Sequence, residues 1–183
     1  MLGTTKRPFK FPEDLKGVKL RAHVSENYLD TLAEWGAAPT PMAFGEVFTG
    51  LQQGTIEGMI GSSQMIWDTK FYEMLGHITN VAPFYNYHII LVNKQFYESL
   101  PGDLKKIFDD AVADFQQFGR DTVGKGDERY LDYFEEAGLT VTRLTPEELK
   151  VWINATQKTY EKAKLKLGAD FGKSVEEFLS KLR

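Results

Sequence analysis

No cysteine occurs among the 183 residues. Disulfides, cysteine nucleophiles and thiolate metal sites are therefore excluded together. Histidine is scarce: His23, His77 and His88 are the three. None stands one helical turn from another, so the spacing supports no histidine metal site. No apolar run approaches the roughly 20 residues a membrane-spanning helix needs. A basic excess is also missing: 22 Lys+Arg against 26 Asp+Glu leaves 22 − 26 = −4, which argues against a nucleic-acid binder. There is no G-x-S-x-G nucleophile elbow. Gly119–Gly126 nearly spells a phosphate-binding loop, but Gly126 replaces the hydroxyl residue that would hold magnesium. That segment also lies within a helix pattern rather than after a strand. No cofactor is called for. Met1–Pro8 lacks the apolar core of a signal peptide, so the exporting segment of an exported protein would lie outside this chain.

What is present is enough apolar material for a core: 42% hydrophobic and 13% aromatic residues. Residues 1–17 read as a polar lead-in, with Pro8 and Pro12 opposing regular structure. Val18, Leu20 and Ala22 alternate with Lys19, Arg21 and His23, a strand period. Ser25 reads as the N-cap of a helix that Gly36 stops. Pro39–Met42 is a short extended segment, followed by a helix carrying Val47, Phe48 and Leu51, then a strand over Thr55–Ile60. Residues 64–76 carry a helical apolar face. Tyr87–Val92 is a continuous apolar run, the pattern of a central strand covered on both faces. Pro101 opens a long helical pattern reaching Ala137, with a break expected near Gly124–Gly126. Leu139–Arg143 reads as a strand. Thr145-Pro146-Glu147-Glu148 is a capping box for a helix running through Trp152 to Ala163, and Ser174-Val175-Glu176-Glu177 is a second, for a last helix. Strands alternating with helices predict an α/β fold with a mostly parallel sheet and helices on both faces.

In such sheets ligands bind beyond the carboxyl ends of the strands. Arg21 stands at the end of the first strand, where its fork of donors would suit a carboxylate. The alternative is a surface arginine beside Lys19. Phe44, between strand and helix, sits at the lip of that crevice or staples the helix from within the core. Gly61 and Ser62 follow the third strand, where small residues would let backbone amides and hydroxyls approach a ligand; a plain turn is the other reading. Asn86 opens the apolar run as a hinge, a ligand contact or a turn residue. A catalytic reading would rest on His23, Glu26 and Glu57, which form no convincing acid–base pair.

Three ordered motifs carry a resemblance: Pro12–Arg21, Gly36–Val47 and Leu51–Gly58, with Lys70–Glu73 and Leu100-Pro101 fitting as well. Together they make the chain resemble the extracytoplasmic solute receptors of tripartite ATP-independent periplasmic (TRAP) transporters, of the dicarboxylate-receptor type. The resemblance covers essentially the whole chain. It implies a two-lobed periplasmic binding protein that closes on an organic acid and delivers it to membrane permease subunits, not an enzyme. It places the carboxylate-pairing arginine on Arg21 and a ligand-packing aromatic on Phe44. Where sialic-acid receptors carry an asparagine this chain has Gly61, which argues against that ligand. It further implies that 1–88 form the second ligand-binding lobe, 89–137 the crossover strand and long bridging helix, and 138–183 the elements completing the lobes. Roughly the first two-fifths of a typical receptor would then be missing, leaving weak ligand binding and apolar faces shielded by self-association. The competing readings are an α/β enzyme acting on a small organic acid and a truncated receptor serving as an interaction or sensory module.

Overall fold

The computed structural model describes residues 1–84, 89–123 and 126–181. A six-stranded mixed sheet forms among them from β1 (Leu2–Thr4), β2 (Lys19–Ala22), β3 (Ala38–Pro41), β4 (Gly58–Ile60), β5 (His77–Thr79) and β6 (Thr140–Thr142), in the order β3-β2-β4-β1-β5-β6. β2 runs parallel to β3 and β4, and β5 parallel to β6. β1 is antiparallel to both its neighbours, β4 and β5.

β1 corrects the reading of residues 1–17 as a lead-in. Met1, Leu2, Gly3 and Thr4 are all buried, and Gly3 is registered with Met59 on one side and Ile78 on the other. Three residues show no period, and both partners lie more than fifty positions away, so local pattern carries no trace of this strand. Gly58 is required where it stands: a Cβ there would lie 2.4 Å from the Gly3 carbonyl oxygen.

Helices cover both faces. α1 (Glu26–Glu34) and α7 (Pro146–Asn154) bury Leu32, Trp35 and Trp152 against Leu2, Leu20, Ala22 and Ile60. The indole of Trp152 meets that of Trp35 edge-on at 4.7 Å and donates to the Lys10 carbonyl at 3.0 Å. α2 (Val47–Gln52), α3 (Ser63–Asp68) and α6 (Gly126–Glu136) bury Val47, Ile66, Leu131 and Phe134 against Met59 and Ile78 on the other face. The capping box at Thr145 forms as read: its hydroxyl accepts from the Glu148 amide at 3.3 Å and the Glu148 carboxylate accepts from the Thr145 amide at 2.9 Å.

Other expectations give way. The pattern over 64–76 is split, because α3 ends before Lys70, which is left-handed at φ 59°, and a 3₁₀ turn follows over Phe71–Met74. The helix expected from Thr145 to Ala163 is two, α7 and α8 (Gln157–Leu167), with Ala155 and Thr156 between them. Ser174 caps nothing: it lies inside α9 (Ala169–Ser180) and donates back to the Phe171 carbonyl. The long pattern from Pro101 is α5 (Gly102–Val123) followed by α6, and their junction at 124–125 lies outside the described residues. Of the run read as a central strand, Tyr87 and His88 also lie outside them. Ile89–Val92 join no strand among the described residues, and all four side chains are exposed. The short α4 (Lys94–Ser99) leads from there into α5.

Candidate functional site

The site begins with strand direction. β2, β3 and β4 are adjacent and parallel, so Ala22, Pro41 and Ile60 end at one edge of the sheet. The register pairs Arg21 with Thr40 and with Met59. Phe44 follows β3 by three positions and Ser62 follows β4 by two, which brings Arg21, Phe44, Gly61 and Ser62 to that same edge. Asn86 lies outside the described residues.

Arg21 is only 8% exposed. Its Nε donates to the Met42 carbonyl oxygen at 3.2 Å, in the loop leaving β3. Among the described residues no carboxylate forms an ion pair with it. Burial pushes the guanidinium pKa below its ordinary value, and an electrostatic interaction with Tyr28 acts in the opposite direction. Among the described residues a cation is thus desolvated and one edge of its fork turned to a backbone carbonyl, with no carboxylate set against it. Buried charges otherwise come paired. The arrangement can accept an anion with two roughly parallel acceptors.

Phe44 opens a 3₁₀ turn (Phe44–Glu46) and is 48% exposed, its ring edge-on to Phe71 at 5.4 Å. One side of the ring is held and much of the rest is open. The backbone of Gly61 exchanges hydrogen bonds with Met1 in both directions, so its amide and carbonyl close the β1–β4 ladder. Ser62 is the N-cap of α3; its Oγ accepts from the Met65 amide at 3.2 Å. Tyr28 was not singled out from the sequence. It stands in the first turn of α1, just past β2, and stacks on Phe84 at 3.8 Å. Its signal was its place after the N-cap Ser25, since that turn begins at the carboxyl edge of the sheet.

A cavity of about 290 Å³ lined by Thr4, Lys6, Arg7 and Lys16 lies at the opposite edge, where β2 and β4 begin, and is therefore distinct from this site. Among the described residues no group of three or more His, Asp or Glu is placed to hold a metal ion.

The family model described as bacterial extracellular solute-binding protein, family 7, matches residues 1–166. The chain belongs to this family. A solute-binding protein of Verminephrobacter eiseniae is 33% identical over 140 residues, covering 76% of this chain and 42% of that protein. The C4-dicarboxylate-binding periplasmic protein DctP of Rhodobacter capsulatus is 28% identical over 164 residues, 89% of this chain and 49% of its own. Among solved structures, a TRAP periplasmic solute-binding protein of Ralstonia eutropha H16 with bound (S)-2-acetolactate superposes with a TM-score of 0.82 at 29% identity, over 98% of this chain and 59% of that one. These family members are solute-binding proteins rather than enzymes. The chain spans about half the length of the curated relatives it matches.

Proposed function

We propose that the chain is the arginine-bearing part of a periplasmic solute-binding protein of a TRAP transporter. It captures an organic acid by pairing the acid's carboxylate with Arg21. One observation carries this reading: the guanidinium is buried and lacks a carboxylate partner among the described residues. A ligand carboxylate supplies the missing charge, and each hydrogen bond to a charged group contributes about 1.5–3 kcal/mol. Two family members bind molecules of that class by their names, a C4-dicarboxylate and an acetolactate. Phe44 offers its open ring to the ligand's apolar part. Ser62, whose oxygen already accepts from the helix, keeps its own O–H to donate outward.

In this reading 1–88 form one ligand-binding lobe, 89–137 cross to the other, and 138–183 complete both. Closure about the segment containing Asn86 and the long helical region traps the acid. The closed form then docks on membrane permease subunits and releases its cargo.

The test is calorimetry with succinate and with 2-acetolactate on a receptor of full family length containing this chain. Arg21→Lys keeps the charge but loses the fork, and affinity is expected to fall about tenfold, roughly 1.4 kcal/mol. An affinity unchanged by that substitution removes Arg21 from the site.

A further inference from the structure

We infer that a cavity between α7 and the segment leaving β5 is a second binding site. It takes a neutral aromatic molecule that carries a carbonyl oxygen.

The cavity has a volume of about 270 Å³. Trp35, at the end of α1, lines it together with Val81, Leu149, Trp152 and Ile153. Among the described residues no charged side chain lines it. An apolar cavity of about 150 Å³ holds benzene, so this one has room for a ring and a short polar arm. Its wall disfavours an ionised ligand, because nothing in it offsets the loss of hydration. Small-molecule sites combine an apolar wall of this kind with a few polar groups that fix orientation.

Two donors in this wall lack acceptors. The Trp35 side chain is only 2% exposed, and its Nε1–H is buried with no hydrogen-bond partner among the described residues. A buried indole N–H ordinarily finds a partner, and leaving it without one is unfavourable. Trp152 shows the ordinary case in the same wall, its Nε1 donating to the Lys10 carbonyl. The second donor is the Asn80 carboxamide, which also lines the cavity. Its Oδ1 accepts from the Leu144 amide at 2.7 Å, which orients the group and leaves Nδ2 without an acceptor among the described residues. The Thr156 hydroxyl is already committed, donating to the Ile153 carbonyl at 2.8 Å. What the wall asks of an occupant is therefore an acceptor. A carbonyl oxygen has two lone pairs and can serve either donor or both. Arg21 takes no part in this wall, so this inference and the ligand assigned to Arg21 can each fail alone.

The chain has three tryptophans, so its indole N–H resonances form a small set that single substitutions assign. Titrating the 183-residue chain with acetophenone should shift the Trp35 resonance saturably. The resonance of Trp67, on the other face of the sheet, should stay in place. Ethylbenzene keeps the ring and lacks the oxygen, and it should bind about fivefold more weakly. Trp35→Phe keeps a ring but removes the donor, and should bring the two affinities within about twofold of each other. Should that variant not fold, Ile153→Asp reads the same site. Ile153 is 56% exposed, so the exchange spares the core, and a carboxylate in the wall should weaken acetophenone at least about fivefold. Equal affinity for acetophenone and ethylbenzene overturns the inference, as does a Trp35 resonance that does not move. Displacement of acetophenone by succinate also overturns it, since that assigns the binding to the edge bearing Arg21.

Discussion

At the scale of single residues, space and charge decide what each position can do. Gly58 and Gly61 lie three positions apart in sequence but differ in kind. A Cβ on Gly58 meets backbone, the Gly3 oxygen, whereas one on Gly61 meets the far end of Met65, whose Cε would lie 2.2 Å away and can swing aside. We expect Gly58→Ala to cost about 2–3 kcal/mol in urea unfolding. Gly61→Asn should cost less than about 1 kcal/mol, and a larger loss would show that Met65 cannot move. Arg21 was legible as the polar tip of an alternating strand. Its burial was not, because alternation says which face a residue takes and not how deeply neighbours cover it. The Met42 carbonyl that accepts from it and Tyr28, which acts on it electrostatically, come from different elements.

At the scale of elements, α8 is held to α1 mainly by charge. Lys162 pairs with Glu26 and Asp30 at 2.6 Å each, Lys166 pairs with Glu26, and the Glu34 carboxylate accepts from the Lys158 and Thr159 amides and the Thr159 hydroxyl. Hydrogen bonds from both lysines hold the Glu26 pKa down to about 2. For Glu34, burial works upward, and the bonds from Thr159 and Lys158 outweigh it to leave the pKa below its ordinary value. Folded-state values below the unfolded ones mean the contribution is present at neutral pH and lost as pH falls through the folded pKa. Amide exchange protection at the start of α8 should therefore fall between the ordinary carboxylate range, about pH 4.5, and about pH 2. It should also weaken in 1 M salt, where screening acts within about 3 Å. Glu34→Gln should lower stability by about 1 kcal/mol, reduced from the full charged-bond value because the group is only partly buried. Protection indifferent to both acid and salt would show that packing, not charge, retains α8.

At the scale of the whole molecule, the sheet depends on its shortest and least visible strand. β1 joins β4 to β5, and through them the β3-β2-β4 block that carries the candidate site to the β5-β6 pair. Removing Met1–Thr4 should abolish the cooperative melt followed by circular dichroism, since two buried edges would lose their ladder together. A variant that still melts cooperatively would show the two halves to be independent. Residues 89–92 and the apolar stripe of α5 have the pattern of buried elements, and among the described residues no side chain of either is buried.

Determined in the amino-acid order alone were the α/β class, the strand tip bearing Arg21, the capping box at Thr145 and the family motifs. Each depends on residues a few positions apart, where period, cap chemistry and turn residues act. Tertiary structure alone decided the central place of β1, the splitting of the 64–76 and 145–163 patterns, the burial of Arg21 against a backbone carbonyl, and the exposure of Ile89–Val92. Those outcomes depend on contacts between distant segments, whose free energy comes from area removed from water and from hydrogen bonds closed across the sheet. No local pattern records which distant segment will supply them.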